Sequence, residues 1–248
     1  MKTVLMLHYG DNGIRGSEVC FIESVKALRD AGFRTIVVRN QPAMDKFIQA
    51  NAFAIETLQY PELMLDGIQS QLPILRYVES LFGLRKMISR WQPDIIYANS
   101  GLPCQLAVPM GRAAKVPVLC HFHHPAIKRA YYLWLVKFAD AVFFPSQYTR
   151  DHSMHKAGVD GRVVHNGVDT QVFKPLAVRD SALRSRLGLS ADSIVVGQVG
   201  ALVPHKRPQL LLKTFASIAS EVPQLHLCLV GKGPLENELR EQVAALGL

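Results

Sequence analysis

Short apolar runs alternate with longer stretches of helical periodicity, and this alternation limits what the chain can fold into more than any other feature. Thr3–Tyr9, Thr35–Arg39, Asp94–Asn99, Val116–Phe122, Ala141–Pro145 and Arg162–His165 read as strands, with a weak one at Ala54–Leu58. VPVLC and DAVFF are apolar at successive positions, so both faces of those strands need cover. Strands of that kind belong to parallel sheets with helices on both sides. Helical patterns occupy the gaps: Ser17–Ala31, Pro42–Asn51, Leu72–Trp91, Pro103–Lys115, Pro125–Phe138 and Gln147–Ala157. In the first, Val19, Ile22, Val25 and Leu28 recur every three residues and Gly32 ends the helix. Right-handed crossovers then make residues 1–170 a doubly wound α/β domain.

Residues 171–192 are irregular and charged and read as a linker. A second α/β unit occupies 193–248: strands Ser193–Val199 and Leu225–Val230, helices Pro208–Glu221 and Pro234–Leu246. Both strands are apolar on two faces, yet two strands cannot cover themselves. A full domain of this kind runs to about 150 residues, so this second Rossmann-like domain is expected to be incomplete.

No apolar run approaches the roughly 20 residues that span a bilayer, and MKTVLMLHYGD is too short in its apolar core for a signal peptide. Cys20, Cys104, Cys120 and Cys228 are scattered with no CxxC, as free thiols in a reducing cytoplasm would be. The net charge of +8 suits anionic partners: nucleotides, phosphates or acidic lipid. Nucleic acid is disfavoured, because there is no RNA-binding signature, zinc-finger spacing or dense basic run.

LHYGDNGIRGSE, residues 7–18, joins the first strand to the first helix through Gly10, Gly13 and Gly16, a natural anion site. The spacing is not the G-x-G-x-x-G of a dinucleotide fold, and the second strand ends in Arg39 and Asn40 with no carboxylate for a ribose. There is no Walker G-K-[ST]. Glu18 opposes the helix dipole or holds a ligand hydroxyl.

Three later stretches are informative together: HNGVD (165–169), VGQVGALVPHKRPQLLL (196–212) and LVGKGPLENEL (229–239). With Arg15-Gly16-Ser17-Glu18, Asp94–Ser100, VPVLCHFHH and DAVFFPSQYTRD, they resemble the retaining GT-B glycosyltransferases of family 4 (glycosyl transferases group 1) over nearly the whole chain.

That resemblance implies two Rossmann-like domains facing across a cleft, an acceptor held by the first and a UDP- or GDP-sugar held by the second. The product is a glycosylated glycan or lipid-linked acceptor, made without metal or cofactor, and the chain has no D-x-D motif. Lys206 matches the lysine over the donor diphosphate, with Gly16 bordering the phosphate from the first domain. Gly200, Gly231, Gly233 and Pro234 border the nucleotide. Ser17, Glu18, Asn99 and Ser146 lie on the acceptor side. His123 aligns with the catalytic histidine, although His121 and His124 adjoin it. His121-x-His123 as a metal pair lacks a third ligand nearby. Ala201 stands where the family has an arginine, with Arg207 as a candidate substitute. The E-x7-E carboxylate pair of the family is not reached by Leu248, so the chain by itself is expected to be weakly active or inactive. Two alternatives stay open: a non-catalytic sugar- or acceptor-binding module, and a GT-B sugar-nucleotide epimerase, against which the NGVD and PHK spacing argues.

AIKRAYYLWLVKFAD mixes Lys128, Arg129 and Lys137 with Tyr131, Tyr132, Trp134 and Leu135, and LRKMISRW adds Arg85, Lys86 and Arg90. Such helices either rest on an anionic membrane, placing a cytoplasmic protein peripherally on its inner face, or face the core with cationic ends.

Overall fold

The computed structural model describes residues 1–10, 13–59, 73–123, 125, 133–154, 160–175 and 182–248. The chain divides into two units, Met1–Asp169 and Thr170–Leu248.

The first unit is a seven-stranded sheet in the order β3-β2-β1-β4-β5-β6-β7, parallel throughout. Its strands are β1 (Thr3–His8), β2 (Arg34–Arg39), β3 (Ala54–Thr57), β4 (Ile95–Asn99), β5 (Val118–His121), β6 (Ala141–Phe144) and β7 (Arg162–Val163). All six residues of β1 are buried. Their side chains alternate between two cores, as the period of a strand requires. Leu5 and Leu7 join Ile36, Val38, Leu84 and Ile96 on one face. Val4 and Met6 join Phe21, Val25 and Val37 on the other.

Helix α1 (Gly16–Asp30) covers the second face with Phe21, Ile22 and Val25. Val19, expected in the core, is 48% exposed. The helical repeat of 3.6, not three, sets the inward stripe, and it selects Glu18, Phe21, Ile22 and Val25 instead. Gly32 ends the helix with φ +81, while Gly32 N–H and Phe33 N–H donate to Arg29 and Leu28 carbonyls. That is the glycine-terminated pattern that satisfies helix-end acceptors.

The expected helix at Pro42–Asn51 is shorter, a 3-10 turn at Pro42–Met44 followed by α2 (Asp45–Ile48). Helices α3 (Ile74–Trp91) and α4 (Cys104–Ala114) cover the first face. Of the helix expected over Pro125–Phe138, the described residues show a 3-10 turn at Val136–Phe138. His124, Lys128, Arg129, Tyr131 and Tyr132 lie outside the described residues, as do 155–159 beyond α5 (Gln147–Met154).

In the second unit, α6 (Ala182–Arg186) precedes β8 (Ile194–Val199) and β9 (Leu225–Val230), a parallel pair. Helices α7 (Pro208–Ile218) and α8 (Glu236–Ala245) pack on the pair around Leu202, Leu212 and Leu239. Ile194, Val196 and Val199 of β8 are exposed, apolar residues that this two-stranded pair does not itself cover.

Candidate active site

The chain runs from β1 outward to β2 and β3, then returns to place β4 on the other side of β1. Ligands of open α/β sheets bind beyond the carboxyl ends of the strands at such a switch point. There the register sets His8 opposite Asn99, and Asn99 opposite His121. Three neighbouring strands thus each end in a polar residue, and His123 follows two residues after β5.

These side chains form one network. Asn99 Nδ2 lies 2.7 Å from His8 Nδ1, and Asn99 Oδ1 lies 2.7 Å from His123 Nε2. His8 Nε2 is 3.3 Å from Glu18 Oε1. This contact is an electrostatic pairing rather than a well-formed hydrogen bond. Glu18 Oε2 accepts from Arg15 N–H at 2.9 Å and from the Ser17 hydroxyl at 3.1 Å. His8, Glu18 and Asn99 are 3%, 5% and 0% exposed, so all three are interior groups. Burial by itself raises the Glu18 pKa. The His8 contact and the backbone N–H groups of Arg15 and Glu18 outweigh it and hold the carboxyl at about 2.

Beside this network the Tyr97 hydroxyl pairs with His121 Nδ1 at 2.8 Å. Burial lowers the His121 pKa and raises that of Tyr97. The His121 and His123 rings sit 4.6 Å apart between centroids. Among the described residues no group of three or more His, Cys, Asp or Glu is arranged to hold a metal.

The glycine loop is tied down by Asn40, which accepts from Gly10 N–H at 3.0 Å and donates to Gly10 O at 2.9 Å. A methyl at Gly10 would sit 2.8 Å from His8 Nε2 and 3.0 Å from Glu18 Oε1, so bare backbone closes over that pair. Gly16, at the start of α1, has open space where a side chain would go. Ser146 Oγ accepts Thr149 N–H at 3.1 Å and thereby caps α5. His8, Asn40 and Tyr97 were not singled out from the sequence. The only signal there is that His8 and Asn40 end the apolar runs TVLMLH and RTIVVRN, whereas Tyr97 sits inside the run IIYAN.

In the second unit, the turns after β8 and β9 are stitched together. Gly200 N–H donates to Val230 O at 2.9 Å, and Leu202 N–H to Lys232 O at 3.0 Å. Gly231 has φ +153, and a side chain there would strike the Gly200 carbonyl; one at Gly233 would strike Leu202 O. Pro234 follows directly, ahead of α8. Lys206 closes a 3-10 turn (Pro204–Lys206), its side chain exposed and its carbonyl held by Gln198 Nε2 at 3.0 Å. Arg207 adopts φ +53 at the head of α7 and is also exposed.

Crystallised HepE of Anabaena, in complex with UDP, overlays all of this chain and 67% of its own at a TM-score of 0.79 and 23% identity, a likeness of fold. The parallel sheet with its polar switch point, followed by a glycine-turned second unit, is that of a GT-B protein. The glycosyltransferase family 4 model matches residues 14–172 and the glycosyl transferases group 1 model matches 180–248. The chain belongs to glycosyltransferase family 4.

One relative is a GDP-mannose-dependent phosphatidylinositol monomannoside mannosyltransferase of Mycolicibacterium smegmatis. It is 27% identical over 66% of this chain and 46% of that protein. An alpha-monoglucosyldiacylglycerol synthase of Streptococcus pneumoniae is 25% identical over 65% and 41%. The chain therefore spans less than half the length of these relatives.

Proposed function

We propose that this chain forms the acceptor side and part of the donor side of a retaining, metal-independent glycosyltransferase. It would move a sugar from UDP- or GDP-sugar to a hydroxyl of a glycan or lipid-linked acceptor. The observation that carries the reading is the Glu18–His8–Asn99–His123 network at the sheet's switch point in a family 4 chain. His123 is its half-buried outer member, placed to hydrogen-bond a sugar or acceptor hydroxyl once its buried Nδ1 is uncovered. Lys206 supplies a cation for the leaving diphosphate. The close backbone at Gly200, Gly231 and Gly233 suits a nucleotide lying flat on the turns. Titration of the 248-residue chain with UDP and with GDP tests this. One nucleotide should bind, and Lys206→Ala should weaken it about tenfold, or about 1.4 kcal/mol. Binding of neither would defeat the reading.

The acceptor is proposed to be lipid-linked and reached at an anionic membrane surface. Helix α3 supports this. Its inward stripe is Ser80, Leu84 and Ile88. Its outward face exposes Ile74, Leu75, Val78 and Phe82, and Phe82 then lines a groove with Arg85, Lys86, Ser89 and Arg90. An apolar half followed by a cationic half suits the boundary between acyl chains and phosphate headgroups. The two relatives named above act, by their names, on phosphatidylinositol and diacylglycerol derivatives. Trp134 and Leu135 instead pack against the core of the first unit. No helix among the described residues is long and apolar enough to cross a membrane.

A non-catalytic binding module is the second reading, and Ala201 in place of the family's arginine favours it.

A further inference from the structure

We infer that Glu18, acting through His8 and Asn99, decides which ring nitrogen of His123 carries the proton. The argument rests on the amide of Asn99, which has one accepting end and one donating end. Oδ1 can only accept, and it lies 2.7 Å from His123 Nε2, so that nitrogen bears hydrogen. Nδ2 can only donate, and it lies 2.7 Å from His8 Nδ1, so that nitrogen is bare. The His8 proton then sits on Nε2, facing Glu18 Oε1 at 3.3 Å. From His123 to Glu18 each hydrogen lies on the carboxylate's side of its link, the first two in hydrogen bonds and the last in an electrostatic contact.

Glu18 anchors this direction because an ionised carboxylate cannot donate. Its other oxygen is already committed to Arg15 N–H and the Ser17 hydroxyl. Turning the Asn99 amide over would place Oδ1 against His8 Nδ1 and move the His8 proton there. A bare Nε2 would then face the carboxylate, lone pair to lone pair, unless the ring took up a second proton. In a site where His8, Glu18 and Asn99 are all buried, that repulsion is little screened.

The consequence for His123 is directional. With Nε2–H committed to Asn99, the remaining ring nitrogen, Nδ1, is an acceptor that lies buried, so a sugar hydroxyl takes it as a hydrogen-bond partner only once that nitrogen is uncovered. Glu18, His8 and Asn99 are positioning residues for this geometry. That last step rests on the sugar-transfer reading; the tautomer itself does not.

Ring nitrogen spectra of the ¹⁵N-histidine-labelled chain at pH 8, above the ordinary imidazole range, test it, with His123→Gln assigning the signals. The Nε2–H form of His123 should exceed the Nδ1–H form by about tenfold or more, because a ring's tautomer follows its partner's hydrogen bond. His8→Phe removes both nitrogens of the link and should bring the two forms within about threefold. Glu18→Ala should act in the same direction, and so should Glu18→Gln, whose single oxygen stays with Arg15 N–H and the Ser17 hydroxyl and whose NH2 then faces His8 Nε2 as a donor. A wild-type spectrum showing Nδ1–H, or an even mixture, overturns the inference even if no variant folds. So does an unchanged ratio in folded His8→Phe. Loss of nucleotide binding would refute the sugar-transfer reading separately and leave the tautomer result standing.

Discussion

Replacing Glu18 by Gln should flatten the acid limb of the first unit's stability. The carboxyl titrates near 4.5 when the chain is unfolded and at about 2 when it is folded. Folding therefore favours the ionised form. The associated stability is fully present above pH 4.5 and is lost as the pH falls through about 2. At about 1.4 kcal/mol per unit of separation, the ceiling is about 3 kcal/mol, and more than half of it disappears between pH 6 and pH 3. Local relaxation and solvent screening reduce the measurable part to about 1–2 kcal/mol. Glu18→Gln cannot titrate, so its stability deficit against wild type should shrink by that amount between pH 6 and pH 3. Urea unfolding followed by tryptophan fluorescence reads the right unit, because both tryptophans, Trp91 and Trp134, belong to residues 1–169. Other carboxylates titrate equally in both proteins and cancel in the difference. A deficit that stays constant within about 0.5 kcal/mol would refute the placement of Glu18 as a buried, ionised anchor.

Two further outcomes follow from the geometry. Gly231→Ala combines a φ of +153 with a collision against the Gly200 carbonyl. It should cost at least about 2 kcal/mol and speed amide exchange at Gly200 and Leu202, whose N–H groups bind Val230 O and Lys232 O; unchanged protection there would contradict it. Vesicles containing phosphatidylglycerol should sediment the chain better than pure phosphatidylcholine. Phe82→Glu should reduce that binding about tenfold or more, since an inserted phenylalanine contributes about 2 kcal/mol; no preference for acidic lipid removes the membrane proposal.

Much of the architecture was legible in the sequence because strand and helix differ in period, and because VPVLC and DAVFF have no polar face to turn to water. Boundaries read less well. The expected Pro42–Asn51 helix is a 3-10 turn and one short helix, and Val19 points outward because a stripe counted in threes drifts from the true helical repeat.

By itself the sequence determined the alternation of elements, the parallel sheet and the motifs that mark family 4. Only the tertiary structure decided what the candidate residues do. Glu18, Asn99 and His123 lie far apart in the chain, and His8 looked like the tail of a buried strand. Register alone brings His8, Asn99 and His121 to adjacent strand ends. Glu18, one turn into α1, completes the line because the glycine loop folds back over it. Hydrogen-bond direction depends on which atom faces which at 2.7 Å, and no spacing in a sequence specifies that.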